Sequence, residues 1–121
     1  MTTFTPAYED DPVTFEIARS DEGSLPVLSL GGEMDLRAAT ELREALLKAL
    51  ADGGGTVLLD LKGLSFIDST IISVLIMARK RADTSAGEVR VRNVPSRIER
   101  ILSITGIDSL FPVVDGEAGG A

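Results

Sequence analysis

The 121-residue sequence contains no cysteine and no histidine. Without cysteine there are no disulfides, no thiolate nucleophiles and no thiolate-held zinc or iron–sulfur centres; without histidine the commonest general base and transition-metal ligand are gone. Most hydrolase chemistry is excluded with them, and neither a cofactor nor a metal is expected. Basic residues are in deficit, with 12 Lys and Arg against 19 Asp and Glu, a formal charge of -7. Such a chain is repelled by phosphate backbones, so no nucleic-acid partner is expected. Long apolar runs are missing too. The longest mainly apolar stretch, Ile71 to Ala78 with Ser73 inside it, falls far short of the ~20 residues that cross a bilayer. The acidic start has neither the basic opening nor the apolar core of a signal peptide. A cytoplasmic chain without membrane insertion is expected, and the lack of cysteine fits a reducing compartment.

What is present is an ordinary globular composition, 44% hydrophobic and 26% charged, at a length that suits one core. Residues 1–12 include Glu9-Asp10-Asp11-Pro12 and residues 115–121 are rich in Gly and Ala. Both read as flexible tails around a single domain at 13–114, because neither offsets its own ordering entropy.

Val13, Phe15 and Ile17 alternate with polar or small residues, the period of a half-buried strand. Asp21-Glu22-Gly23-Ser24 supplies a turn, and a second strand follows in Val27 to Leu30, with Pro26 tolerable on a sheet edge. From Leu36 to Leu50 the spacing of Ala39, Leu42, Leu46 and Leu50 predicts an amphipathic helix, with Asp35 as its N-cap and Gly53 beyond its end. Gly53-Gly54-Gly55 reads as a flexible turn; phosphate-cradling loops run instead from strand to helix. Thr56 to Leu61 predicts a central strand, Lys62-Gly63 a turn, and Thr70 to Asp83 a second helix that opens with capping residues and closes on Arg79-Lys80-Arg81. Glu88 to Val94 predicts another strand. Ser96-Arg97-Ile98-Glu99 has the capping-box pattern of a third helix that Gly106 stops, and Leu110 to Val114 suggests a last short strand. The order β-β-α-β-α-β-α-(β) implies an α/β domain with a mixed sheet and crossover helices.

Asp68-Ser69-Thr70 stands at a strand-to-helix junction, where the first amides of the helix lack partners. Plain N-capping is one reading. The other is phosphorylation, which would set roughly -1.5 to -2 charges beside Asp68 at a helix N-terminus suited to hold them. On the following helix, Ile71, Val74, Leu75, Ala78 and Ala82 share one side, leaving Ser73, Ile76, Met77 and Lys80 opposite with Ile72 between. Ile76 and Met77 form an apolar ridge outside the core stripe. Either a protein partner uses it, or neighbouring segments or a homodimer cover it.

These residues resemble a known family. Gly32-Glu33-Met34-Asp35 before the first helix, Val57 to Leu61 leading through Leu64-Ser65-Phe66-Ile67 to Asp68-Ser69-Thr70, and Gly87 to Val91 followed by Pro95 to Leu110 are similar to the anti-sigma-factor antagonists, single STAS domains of bacteria. The resemblance implies a protein that binds an anti-sigma factor and frees a sigma factor. It also implies that Ser69 is phosphorylated by that anti-sigma factor, itself a serine kinase, and restored by a phosphatase. Asp35, Asp68, Thr70, Ile72, Ser73, Ile76 and Met77 are then the expected partner surface, and the chain is a kinase substrate and not an enzyme. The chain departs from the family at Ile71, where a glycine is usual, and a β-branched residue there would crowd an approaching kinase. Two other classes stand beside this reading: a STAS scaffold or subunit of a signalling or membrane-transport complex with no phosphoswitch, and a nucleotide or small-ligand sensor.

Overall fold

The structure is a computed structural model that describes residues 14–114. Val13 and the expected tails at 1–12 and 115–121 lie outside the described residues. Strand β1 (Phe15–Glu22) pairs antiparallel with β2 (Leu25–Met34). The connection is Gly23-Ser24 alone, with positive φ at Gly23 and not at Ser24, a combination that suits a two-residue hairpin with glycine first. Asp21 and Glu22, expected in the turn, therefore complete β1. Pro26 is not on an edge, since the sheet order is β1-β2-β3-β4. It is tolerated because pairing with β3 begins one residue later, at Val27↔Leu58.

Asp35 closes β2. Leu36–Ala38 forms a 3₁₀ turn and α1 spans Ala39–Asp52, burying Leu42, Leu46, Ala49 and Leu50. The α-helix thus starts at Ala39 and not at Leu36. Gly53-Gly54-Gly55 is an ordered C-terminal closure, with the Gly55 amide donating to the Leu50 carbonyl at 2.8 Å.

Strand β3 (Val57–Ile67) runs parallel to β2 straight through Lys62 and Gly63, where the sequence suggests a turn. The register shifts between Ser29 and Gly31 and again between Gly32 and Glu33, so extra residues of β3 are absorbed as bulges. Gly32 is required at this irregular point: its φ is +79 and a Cβ would stand 1.8 Å from the Thr14 carbonyl oxygen.

Helix α2 (Ser69–Asp83) leads to β4 (Val89–Arg92), parallel to β3, and then to α3 (Ser96–Ile104). Strand β4 stops short of the expected Val94 because Asn93 has φ 55, outside the extended region. The capping box of Ser96 and Glu99 does not form. Pro95 occupies the N-cap position and Ser96 is already helical, so its side chain is one step too far in to cap. Gly106 does stop α3, with the Ile107 amide donating to Leu102 and the Gly106 amide to Ser103, both at 3.0 Å. The last apolar segment yields a 3₁₀ turn, Asp108–Leu110, and one parallel bridge, Val91↔Val113, in place of a strand.

One buried cluster joins Leu28, Leu30, Leu59 and Val91 of the sheet to Leu46 of α1, Leu75 of α2 and Ile98 of α3. The three helices therefore cover one sheet face. Asp60, between Leu59 and Leu61, points to the other face and is only 8% exposed. Its carboxylate accepts from the Lys62 amide and Arg92 Nε at 3.1 Å and from Asn93 Nδ2 at 3.3 Å. Burial pushes this carboxyl upward, but those donors outweigh it and hold the group below the usual carboxylate range. Arg92 also grips Glu22 with two bonds of 3.1 and 2.8 Å, which ties the hairpin tip to β4.

Candidate functional site

Parallel pairing of β2 and β3 ends at Met34↔Ile67. Neighbouring strands lie about 4.8 Å apart, so the next residues, Asp35 and Asp68, leave the same end of the sheet side by side. Each aspartate turns the chain. Asp35 Oδ1 accepts from the Arg37 amide at 2.9 Å and starts the 3₁₀ turn, while Asp68 Oδ1 accepts from the Ile71 amide at 3.0 Å and starts α2. The guanidinium of Arg37 returns to Asp35, with Nε to Oδ1 and Nη2 to Oδ2 at 3.2 Å. That side-chain pairing, joined by the Arg37 amide, holds the Asp35 carboxyl below the usual carboxylate range.

Ser69 is the first residue of α2 and is exposed. Asp68 does the capping, so the Ser69 hydroxyl is not needed as the cap. Thr70 is half-buried one residue further into the helix. Ile71 is 0% exposed. Its side chain enters the core among the helices, so the bulk added at this position projects inward and does not crowd the surface around Ser69.

Along α2, Ser73, Ile76, Met77 and Lys80 line a shallow depression of about 400 Å³. Ser73 is exposed, while Ile72, Ile76 and Met77 are half-buried. Ile72 and Ile76 also pack against the core, so the ridge is less separate from the fold than the helical spacing suggests.

Two large apolar side chains beside the aspartates escape the sequence pattern. Leu36 is 69% exposed and Phe66 is 41% exposed. Leu36 is in phase with Ala39 and Leu42 only if the helix starts there; the 3₁₀ turn, at about 3.0 residues per turn, rotates it outward and buries Ala38 instead. Phe66 follows the second bulge of β3, which carries it to the face opposite the helices, next to Glu33. A break in period directly after Asp35 and before Asp68 is the signal that could have found both.

Among the described residues no group of three or more acidic side chains could hold a metal ion, and no helix is long and apolar enough to cross a membrane. A second hollow, of about 280 Å³, lies on the open sheet face between Glu16, Ser29, Asp60 and Lys62; it holds none of the expected site residues.

Comparison with known proteins gives a consistent result. Residues 17–114 match the family described as Mlab, STAS domain. The anti-sigma-B factor antagonist of Staphylococcus aureus is 30% identical over 89 residues, covering 74% of this chain and 82% of that protein. The crystal structure of an anti-sigma factor antagonist from Mycobacterium paratuberculosis superposes with a TM-score of 0.75 at 22% identity, covering 88% of this chain and 91% of the other. The Bacillus cell fate determinant SpoIIAA, solved in its phosphorylated form, gives 0.64 at 20% identity, covering 87% and 95%. A mixed four-stranded sheet with its helices on one face, matched over this span, makes the chain a member of the STAS-domain family.

Proposed function

We propose that this chain is an anti-sigma-factor antagonist of the cytoplasm, switched by phosphorylation of Ser69. Unphosphorylated, it occupies an anti-sigma factor through the sheet end that carries Asp35 and Asp68 and through the exposed side of α2 with Thr70, Ile72, Ser73, Ile76 and Met77. The bound sigma factor is thereby released. The observation that carries this reading is the placement of an exposed hydroxyl at the start of α2, where a separate residue, Asp68, already serves as the cap. Support comes from the relatives named as antagonists and from the phosphorylated form of a protein with the same fold.

In the modification, Ser69 Oγ takes the terminal phosphoryl group of ATP, ADP leaves, and the hydroxyl proton passes to the anti-sigma factor acting as kinase. The chain is substrate and not catalyst, and a phosphatase resets it by hydrolysis. The phosphoryl group adds roughly -1.5 to -2 charges next to Asp35 and Asp68, on a surface that must approach the partner closely. Like charge and lost contact area then weaken the complex.

Phosphopeptide mapping after incubation with the cognate kinase and ATP tests the assignment. Phosphate on the Ser69 hydroxyl is expected; a bare Ser69 with a modified Thr70 contradicts it. Full regulation by a Ser69→Ala variant would favour a scaffold without a switch.

A further inference from the structure

We propose that Arg37 reads the modification state of Ser69 within the same chain, shifting its guanidinium from the Asp35 carboxylate to the phosphate. The proposal rests on the reading of Ser69 as phosphoacceptor and adds the residue that answers the new charge. Three observations lead to it. First, the register Met34↔Ile67 starts the Asp35 and Asp68 loops on adjacent strands, and the 3₁₀ turn that carries Arg37 lies against α2, the helix that Ser69 opens.

Second, Arg37 is bound to Asp35 twice over, by its backbone amide and by its side chain. The amide bond holds the turn independently of the side chain, so the turn survives a change in the guanidinium's bond to Asp35. The ion pair is half exposed, with side chains 41% and 35% accessible. Pairs of that kind hold weakly, so a stronger anion within reach redirects them.

Third, a phosphate at Ser69 stands beside two carboxylates and needs a cation. The basic residues of α2, Arg79, Lys80 and Arg81, are at its far end, about 15 Å along the axis at 1.5 Å per residue. An arginine fork matches phosphate oxygens with two parallel bonds. The released Asp35 carboxylate would then face the partner unpaired, so one phosphorylation alters two charged groups on the binding surface.

The test uses the full chain with phosphoserine installed at position 69 during translation, and follows the phosphate by ³¹P NMR across its second ionisation. The apparent pKa is expected to rise by about half a pH unit in Arg37→Gln, with Arg37→Lys in between, the size of an exposed ion pair. Arg43→Gln, on α1 beyond the turn, is expected to leave it unchanged. Equal values for the parent and Arg37→Gln, or an equal effect of Arg43→Gln, overturn the proposal. Because the phosphate is installed and not enzymatic, failure of the switch itself shows separately, as equal partner affinity of the modified and unmodified chains.

Discussion

Replacing Ile71 by alanine separates core from surface at the most informative position, two residues after Ser69. Ile71 is fully buried at 0% exposure. The change removes three carbons, worth about 0.8 kcal/mol each as lost burial, and leaves a cavity that partial collapse does not fill. Buried Ile→Ala changes cost ~2–5 kcal/mol, and the better helix propensity of alanine returns only a few tenths, so about 3 kcal/mol is expected here. For a domain of this size that is a fall in Tm of roughly 12–24 °C. In urea the midpoint should drop by about 1–3 M with an unchanged slope. The companion variant Ser69→Ala, at an exposed position that caps nothing, should stay within about 0.5 kcal/mol. Neither phosphorylation rate nor partner affinity of folded Ile71→Ala should rise, because no bulk has been cleared from the surface. A loss below about 1 kcal/mol together with faster phosphorylation would show that Ile71 faces the partner, and the orientation of α2 argued above would be wrong.

Leu75→Ala should cost ~2–5 kcal/mol as a buried truncation, whereas half-buried Ile76→Ala should cost about 1–2 kcal/mol and weaken capture of the anti-sigma factor disproportionately; denaturation midpoints set against titration calorimetry check the split. Leu36→Ser should leave stability within about 0.5 kcal/mol, whereas Phe66→Ser, at a side chain more than half covered, should cost about 1–2 kcal/mol; both should weaken partner binding roughly tenfold, as expected of apolar anchors at an interface. Asp60 is held below the usual carboxylate range when folded, so its contribution is fully present above about pH 4, the unfolded value, and is lost as pH falls through the folded one. Asp60→Asn should therefore lower stability at pH 7 and flatten the acid limb of a stability–pH curve; an unchanged limb would contradict this role of Asp60.

Much of this molecule is legible in its chain. The alternation of Phe15 and Ile17, the stripe of Leu42, Leu46 and Leu50, and the aspartates before each turn report local periods and caps that survive into the fold. The errors share one cause: the period is interrupted by backbone geometry set by neighbouring strands. Lys62-Gly63 looks like a turn because a bulged strand borrows the same residues, and only the pairing of Gly63 with Gly31 shows otherwise. The first α-helix is expected from Leu36, three residues early, because a 3₁₀ turn cannot be told from the first turn of an α-helix by apolar spacing. Ser96-x-x-Glu99 fits a capping box, but Pro95 takes the cap position first. At the site, the capping roles of Asp35 and Asp68 are readable because caps are local, while the exposure of Leu36 and Phe66 and the inward aim of Ile71 depend on contacts far apart in sequence.

The central claim is that phosphate at Ser69 switches partner binding without disturbing the fold. It is tested most directly by titrating the cognate anti-sigma factor with two forms of the full chain, unmodified and carrying phosphoserine at position 69, alongside their thermal melts. A carboxylate or phosphate at a helix N-terminus is electrostatically tolerated, so the two melts should coincide within a few degrees while affinity falls at least tenfold in the phosphorylated form. Equal affinities, or a loss of affinity that tracks an equal loss of thermal stability, would contradict the account and leave Ser69 as part of the helix start alone.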